Sequence, residues 1–195
     1  MRAVLIVAHP HPDGLTHAIA RRARSGLEAG GHSVIVHDLY EEGFRAAMTA
    51  EERHAYHGDH PSLDPLVDEH IADLRQAEIV VFVYPTWWSS VPAVLKGWFE
   101  RVMLPGVGFV FDATGKVRPG LTTVRRLVGI STYGSSWISV KAVNDNGRRT
   151  IMRAMRLSTG IRTRRTWLGL YSIDASNHAR RTKFLDRVET TMARL

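Results

Sequence analysis

The chain contains no cysteine. That excludes disulfides, thiolate metal sites and cysteine nucleophiles, and makes the cytoplasm the expected compartment. No stretch approaches the run of about 18 apolar residues that a membrane span needs, so no membrane insertion is expected. Three glycine signatures are missing as well. Strand 1 is not followed by Gly-x-Gly-x-x-Gly, there is no Gly-x-x-x-x-Gly-Lys-Ser/Thr, and no Gly-x-Ser-x-Gly elbow is present. A Rossmann-type dinucleotide fingerprint, a P-loop ATPase and an elbow-type hydrolase are therefore disfavoured. Acidic residues are the minority: 19 Asp and Glu face 26 Lys and Arg, for a formal charge of +7.

The basic excess collects late, from Arg148 to Arg187. It reads as a solvated face, a site for an anionic cofactor or substrate, or a nucleic-acid surface. No helix-turn-helix, zinc finger or aromatic RNA-binding motif accompanies it, so no nucleic acid is expected. With 195 residues, 44% of them hydrophobic, the chain has material for one α/β domain spanning 1–195. Met1 to Ala8 could pass for a short signal segment. His9-Pro10-His11-Pro12-Asp13 follows at once without a small-residue cleavage site, and the segment reads as a strand.

Strand and helix patterns alternate throughout. Apolar runs at 2–8, 33–38, 78–84, 125–131 and 163–171 read as five parallel strands. Helical spacing follows each: from Leu15 to Ala29-Gly30-Gly31, from about Asp64, from about Pro92 to Pro105-Gly106, over roughly 146–158, and from near Ser176. The polar stretch from Leu39 to about Leu63 is long for an α/β connection and reads as a functional loop or short helices. Five strands with right-handed crossovers predict a flavodoxin-like three-layer sandwich with a parallel sheet of order 2-1-3-4-5. Its ligand crevice lies beyond the carboxyl ends of strands 1 and 3.

Three loops converge on that edge. The first, from His9 to Thr16, opens a helix whose N–H groups and dipole suit a phosphate, with Thr16 and the backbone from Gly14 as donors and His9 as a charged partner. The plainer reading is that Asp13 caps the helix and His9 packs. The second loop is Tyr84-Pro85-Thr86-Trp87-Trp88-Ser89. Its adjacent tryptophans suggest a planar, electron-poor guest, gripped by Trp88 and by the N–H groups from Trp87 to Ser89, unless both indoles belong to the core. The third, Ser131-Thr132-Tyr133-Gly134, can approach the same guest through its backbone, with Tyr133 as candidate proton donor; a structural turn is the alternative. His54, His57 and His60, and likewise His9 and His11, lack a supporting ligand pattern, and no metal is expected.

The run from Tyr84 to Trp88, continued by Val91-Pro92-Ala93-Val94-Leu95-Lys96-Gly97-Trp98-Phe99-Glu100-Arg101-Val102, resembles the NAD(P)H:quinone oxidoreductase family. Ala8-His9-Pro10, Asp38-Leu39-Tyr40 and Met48-Thr49-Ala50-Glu51-Glu52 resemble it too, and the likeness covers nearly the whole chain. It implies a homodimer that binds FAD, or alternatively FMN, without a covalent link and moves a hydride from NAD(P)H to a quinone or similar small acceptor by a ping-pong route. His9, Leu15 and Thr16 would touch the flavin phosphates. Pro85, Thr86, Trp87, Trp88 and Ser89 would line its ring, and Ser131, Thr132, Tyr133 and Gly134 its pyrimidine side. The family also contains ancillary subunits of potassium-efflux systems, so a regulatory flavin-binding subunit is the alternative function. An electron-carrier flavodoxin is disfavoured by the basic charge. Trp137 to Asn146 lacks the Tyr and His that several quinone reductases place there, which implies an altered acceptor site.

Overall fold

A computed structural model of the chain describes residues 1–58 and 60–195; position 59, within the polar stretch 39–63, lies outside the described residues. Its main sheet contains β1 (Arg2–Val7), β2 (Ser33–Asp38), β3 (Ile79–Pro85), β6 (Arg126–Thr132) and β7 (Arg164–Leu170). They lie in the order β2-β1-β3-β6-β7, all parallel, which is the expected 2-1-3-4-5 arrangement. Every residue of β3 is buried. This follows from its central place, with a helical layer on each face.

Side chains alternate between those layers as the pleat requires. Leu5, Val7, Val81 and Val83 face α1 (Leu15–Ala29) and α8 (His178–Met192), while Val4, Ile6, Val80 and Phe82 face α3 (Pro65–Gln76) and α4 (Ala93–Val102). Burying a side chain such as Phe82 contributes about 2–3 kcal/mol. Close helix approach depends on missing side chains. A Cβ on Gly26 of α1 would sit 2.3 Å from the Glu189 carbonyl of α8, and one on Gly97 of α4 would sit 2.1 Å from the Ala46 carbonyl.

Three features refine the sequence expectation. The first is an antiparallel hairpin, β4 (Phe109–Phe111) and β5 (Val117–Pro119), between α4 and β6. Asp112 closes it by accepting from the N–H groups of Thr114 (2.9 Å) and Lys116 (3.0 Å), with Gly115 at φ 76°. Secondly, the stretch 39–63, expected as a functional loop or short helices, does carry a short helix, α2 (Ala50–Ala55), held by a reciprocal Thr49–Glu52 cap. Thirdly, the basic helix of 146–158 is not uniform. It runs through α6 (Asn146–Arg149), a π-helical turn (Thr150–Met155) and α7 (Arg156–Thr159). The wider turn keeps Ile151, Met152 and Met155 all buried against the sheet.

Candidate cofactor cleft

The winding reverses between β1 and β3, and the loops leaving β1, β3 and β6 meet there. After β3, the chain closes a two-residue turn: Trp87 N–H donates to the Ser90 carbonyl at 3.1 Å and Ser90 N–H to the Trp87 carbonyl at 3.0 Å. Trp88 and Ser89 accordingly take φ of 46° and 59°, the left-handed pair of a hairpin turn. The turn projects the Trp88 indole wholly into solvent, at 101% exposure. Trp87 is half-exposed beside His9, with ring centroids 6.0 Å apart. Neither indole is a core residue. The N–H of Trp87 is consumed by the turn and does not point at a ligand. Those of Trp88 and Ser89 have no partner among the described residues.

Below the turn, Thr86 N–H donates to the Thr132 carbonyl at 2.8 Å and Thr86 Oγ1 meets Ser131 Oγ at 2.9 Å. These bonds lock the β3 and β6 exits together. Pro85, Ser131 and Thr132 are buried as a result. They support the cleft floor rather than line it. The cleft itself, of about 320 Å3, is walled by Thr86, Trp88 and Ser89 on one side and by Tyr133, Gly134 and Ser135 on another. A third wall comes from Ser139, Val140 and Val143, on and just beyond α5 (Trp137–Ala142), and from Asp145. Sequence reasoning missed α5 and Asp145. Ser136, which caps α5 by accepting from Ser139 N–H at 3.2 Å, was the available signal.

Tyr133 is buried, stacked on Tyr171 at 4.5 Å, and its hydroxyl donates to Asp145 Oδ1 at 2.9 Å. Burial raises its pKa well above the ordinary phenol value, and the Asp145 charge raises it further. The expected proton-donor role does not follow from this geometry: Tyr133 is a fixed hydrogen-bond anchor, and its proton is directed at Asp145. Tyr84 lies beneath, its buried hydroxyl unpartnered; burial and then Asp145 raise its pKa too. Gly147 permits this packing, since a Cβ there would be 3.2 Å from the Tyr84 hydroxyl.

The first loop flanks the cleft without lining it. Leu15 and Thr16 open α1, whose N-cap is Gly14 with no side-chain cap and no acidic residue in the first turn. Asp13 is exposed and does not cap. The helix therefore keeps its first N–H groups and positive dipole end free for an anion. His9 Nδ1 accepts from His11 N–H at 3.1 Å. His17 turns Nε2 to Asp38 at 2.6 Å and leaves Nδ1 buried without a partner. Thus the unpartnered turn N–H groups and the exposed indole belong to the cleft, and the uncapped helix start stands at its flank, where His9 meets Trp87. That donor set fits a flavin: a phosphate tail at α1 and a flat ring with a polar edge at the turn.

Among the described residues, His54, His57 and His60 are exposed and do not converge. A different group, His37, Glu42 and His70, brings ligand-type atoms within 4.8 Å of one another. Hydrogen bonds already use those atoms. Trp98 N–H donates to His70 Nδ1 at 2.8 Å, so His70 Nε2 carries a proton toward Glu42 at 3.1 Å. His37 spans Glu42 (2.9 Å) and Asp73 (3.0 Å). The group is a charge network.

A sheet of this order with its crevice at the winding reversal defines a doubly wound α/β protein of the flavodoxin-like class. Residues 1–183 match the family described as flavodoxin-like fold. NAD(P)H dehydrogenase (quinone) 1 of Rattus norvegicus is 30% identical over 159 residues, which span 73% of this chain and 58% of that protein. The chain spans about half to two thirds of the first curated relatives it matches, at 46%, 58% and 66% of their lengths. Among solved structures, NAD(P)H:quinone oxidoreductase from Methanothermobacter marburgensis superposes with a TM-score of 0.81 at 23% identity, covering 99% of this chain and 94% of that one. An FMN-dependent NADH-azoreductase from Bacillus anthracis in complex with FMN superposes at 0.77 with 16% identity, over 99% and 98% of the two chains. The chain belongs to the NAD(P)H:quinone oxidoreductase family of the flavodoxin-like fold.

Proposed function

We propose that the protein is a cytoplasmic, flavin-dependent NAD(P)H oxidoreductase, a single flavin-binding domain over 1–195, that passes two electrons to a quinone or similar small acceptor. The observation that carries this reading is the cleft under the Trp87–Ser90 turn with the uncapped start of α1 at its flank, where His9 lies beside Trp87. FAD is the preferred cofactor and FMN the alternative. In support, a relative is named for quinone and a fold neighbour holds FMN.

When bound, the flavin supplies the redox chemistry, taking a hydride from the nicotinamide and returning it to the acceptor. The protein's contribution is placement. His9, Leu15 and Thr16 hold the phosphate end at the helix start. Trp88, Ser89 and Gly134 offer N–H groups to the ring edge, and the Trp87 and Trp88 indoles shield its face. Pro85, Thr86, Ser131 and Thr132 hold the two strand exits in register beneath it. Asp145 fixes Tyr133, which keeps the third loop from collapsing into the cleft. Exposed Trp88 and Val143 line the opening, and exposed Trp137 and Ile138 stand beside it on α5. An apolar rim of this kind suits a homodimer in which a second copy covers the cleft.

The test is an absorption spectrum of the purified protein with mass identification of the released chromophore, followed by NADPH turnover with a model quinone. Flavin bands and turnover are expected, and Trp88→Ala should lose flavin more readily than His54→Ala. No flavin after reconstitution with both FAD and FMN would end the reading. Retained flavin with negligible turnover would favour the regulatory subunit instead.

A further inference from the structure

Several cations elsewhere on the surface have counter-charges. Arg22 pairs with Glu189, Arg24 with Glu28, Arg101 with Glu52 and Asp64, and Arg118 with Asp112. One concavity instead gathers five basic side chains around a single volume. It has a volume of about 390 Å3, lies between α6, the π-helical turn and β7, and presents Lys141, Arg148, Arg149, Arg153 and Arg165. Its only acidic wall residue is Asp145, which is buried. Among the described residues, none of the four arginines meets a carboxylate within 4.0 Å. Lys141 stands 3.8 Å from Asp145.

Like charges facing one small volume repel one another, and only Asp145, beside Lys141, offsets them among the wall residues. Arg165 is oriented by donating to the Met152 carbonyl at 2.7 Å, and Arg148 lies over the Trp167 ring at 5.7 Å. The Trp167 indole N–H and Asp145 Oδ2 are buried without hydrogen-bond partners at the same wall. Held guanidinium groups around a concavity match a phosphate, whose dianion they can bracket by paired N–H bonds. Asp145 also lines the cofactor cleft, so the two cavities share a wall. A ligand with a ring in one and a charged tail in the other therefore follows the line from α5 to α6.

We propose that this basic pocket takes the 2′-phosphate of NADPH and makes NADPH, rather than NADH, the preferred electron donor. The proposal rests on the flavoenzyme reading for its physiological meaning. Its chemistry, recognition of a phosphomonoester, can be measured separately. The purified protein is titrated calorimetrically with 2′,5′-ADP, with 5′-AMP and with inorganic phosphate. The 2′,5′-ADP should bind about tenfold tighter than 5′-AMP, the effect of one additional well-bracketed phosphate. Arg149 and Arg153 are exposed, so Arg149→Ala with Arg153→Ala should leave the thermal melt intact. That variant should abolish the difference and raise the KM for NADPH relative to that for NADH by a similar factor.

Equal affinity for 2′,5′-ADP and 5′-AMP would overturn the proposal, as would a preference that survives the double variant. Inorganic phosphate binding as tightly as 2′,5′-ADP would reduce the pocket to a general anion site and overturn the donor assignment. A protein that discriminates the nucleotides yet retains no flavin would sink the oxidoreductase reading and leave the pocket standing. One that retains flavin without discriminating would do the reverse.

Discussion

Among the described residues, non-glycine residues with left-handed backbone are few, and they gather at one place. Trp88, Ser89 and Asp145 line the cleft, and Asn144 and Ser172 adjoin residues that border it. A side chain in this region costs roughly 1–2 kcal/mol relative to glycine. Such strain persists where the surrounding structure fixes it, and it is commonest at functional sites. At Ser89 the cost can be separated from the chemistry. Ser89→Gly relieves the φ of 59° while leaving the turn bonds between Trp87 and Ser90 in place. Part of the gain is offset because glycine also loosens the unfolded chain. The expected outcome is a net stabilisation of about 0.5 kcal/mol, read as a higher urea midpoint at unchanged slope. A lower midpoint would mean that the Ser89 side chain stabilises the turn by more than its backbone costs.

At the scale of elements, one arginine organises the long connection after β2. Arg101 of α4 is buried, donates through Nε to Glu52 Oε1 at 3.1 Å, and reaches Asp64 Oδ2 at 2.7 Å and the Arg45 carbonyl at 2.7 Å. Both carboxylates are also helix caps. Glu52 accepts from Thr49 N–H at 2.7 Å at the start of α2, and Asp64 from Leu66 N–H at 3.0 Å at the start of α3. Burial raises the Glu52 pKa, but Arg101 and the cap outweigh it and leave the carboxyl below its ordinary value. Arg101→Met should therefore leave two carboxylates to the half-exposed Arg45 alone and loosen two helix starts, at a loss of about 3 kcal/mol in urea unfolding. A loss under about 1 kcal/mol would show that water replaces the guanidinium cheaply.

The sequence reading succeeded and failed for identifiable reasons at this scale. The parallel strands were legible because burial on both faces forces unbroken apolar runs such as Ile79 to Tyr84. With the strands placed, the crevice and its three loops followed from topology. Arg101 was not legible as a tether, because its partners are 37 and 49 residues away and each looks like an ordinary surface acid. The Tyr133–Asp145 bond was hidden for the same reason, since it needs α5 to fold back over the cleft. The Asp112–Gly115 turn, by contrast, carried a readable hairpin signal between Phe111 and Val117.

For the molecule as a whole, the network that ties the edge strand to one helical layer sets how stability responds to pH. His37 closes β2, His70 belongs to α3 and Trp98 to α4, and Glu42 and Asp73 hold the imidazoles. The His37 and His70 rings stack at 3.8 Å. Burial opposes a charge on His37, yet Glu42 and Asp73 outweigh it and raise its pKa above the ordinary value. For Glu42, burial acts upward, and the hydrogen bonds from His37 and His70 prevail and bring it down to about 2. The raised His37 pKa contributes stability that is complete below about pH 6.5 and is lost as pH climbs through its folded value. The depressed Glu42 pKa contributes stability that is complete above about pH 4.5 and is lost as pH falls toward 2. The network is thus strongest between these limits, on the acid side of neutrality. His37→Asn keeps a hydrogen-bonding side chain but removes the charge, so it should cost more at about pH 5.5 than at about pH 8.5. The gap should be on the order of 1 kcal/mol for each unit by which His37 is raised. Urea unfolding of parent and variant at both values measures it. A cost that grows with pH has the wrong sign for an imidazolium held between two carboxylates, and would instead mean that His37 is folded in its neutral form.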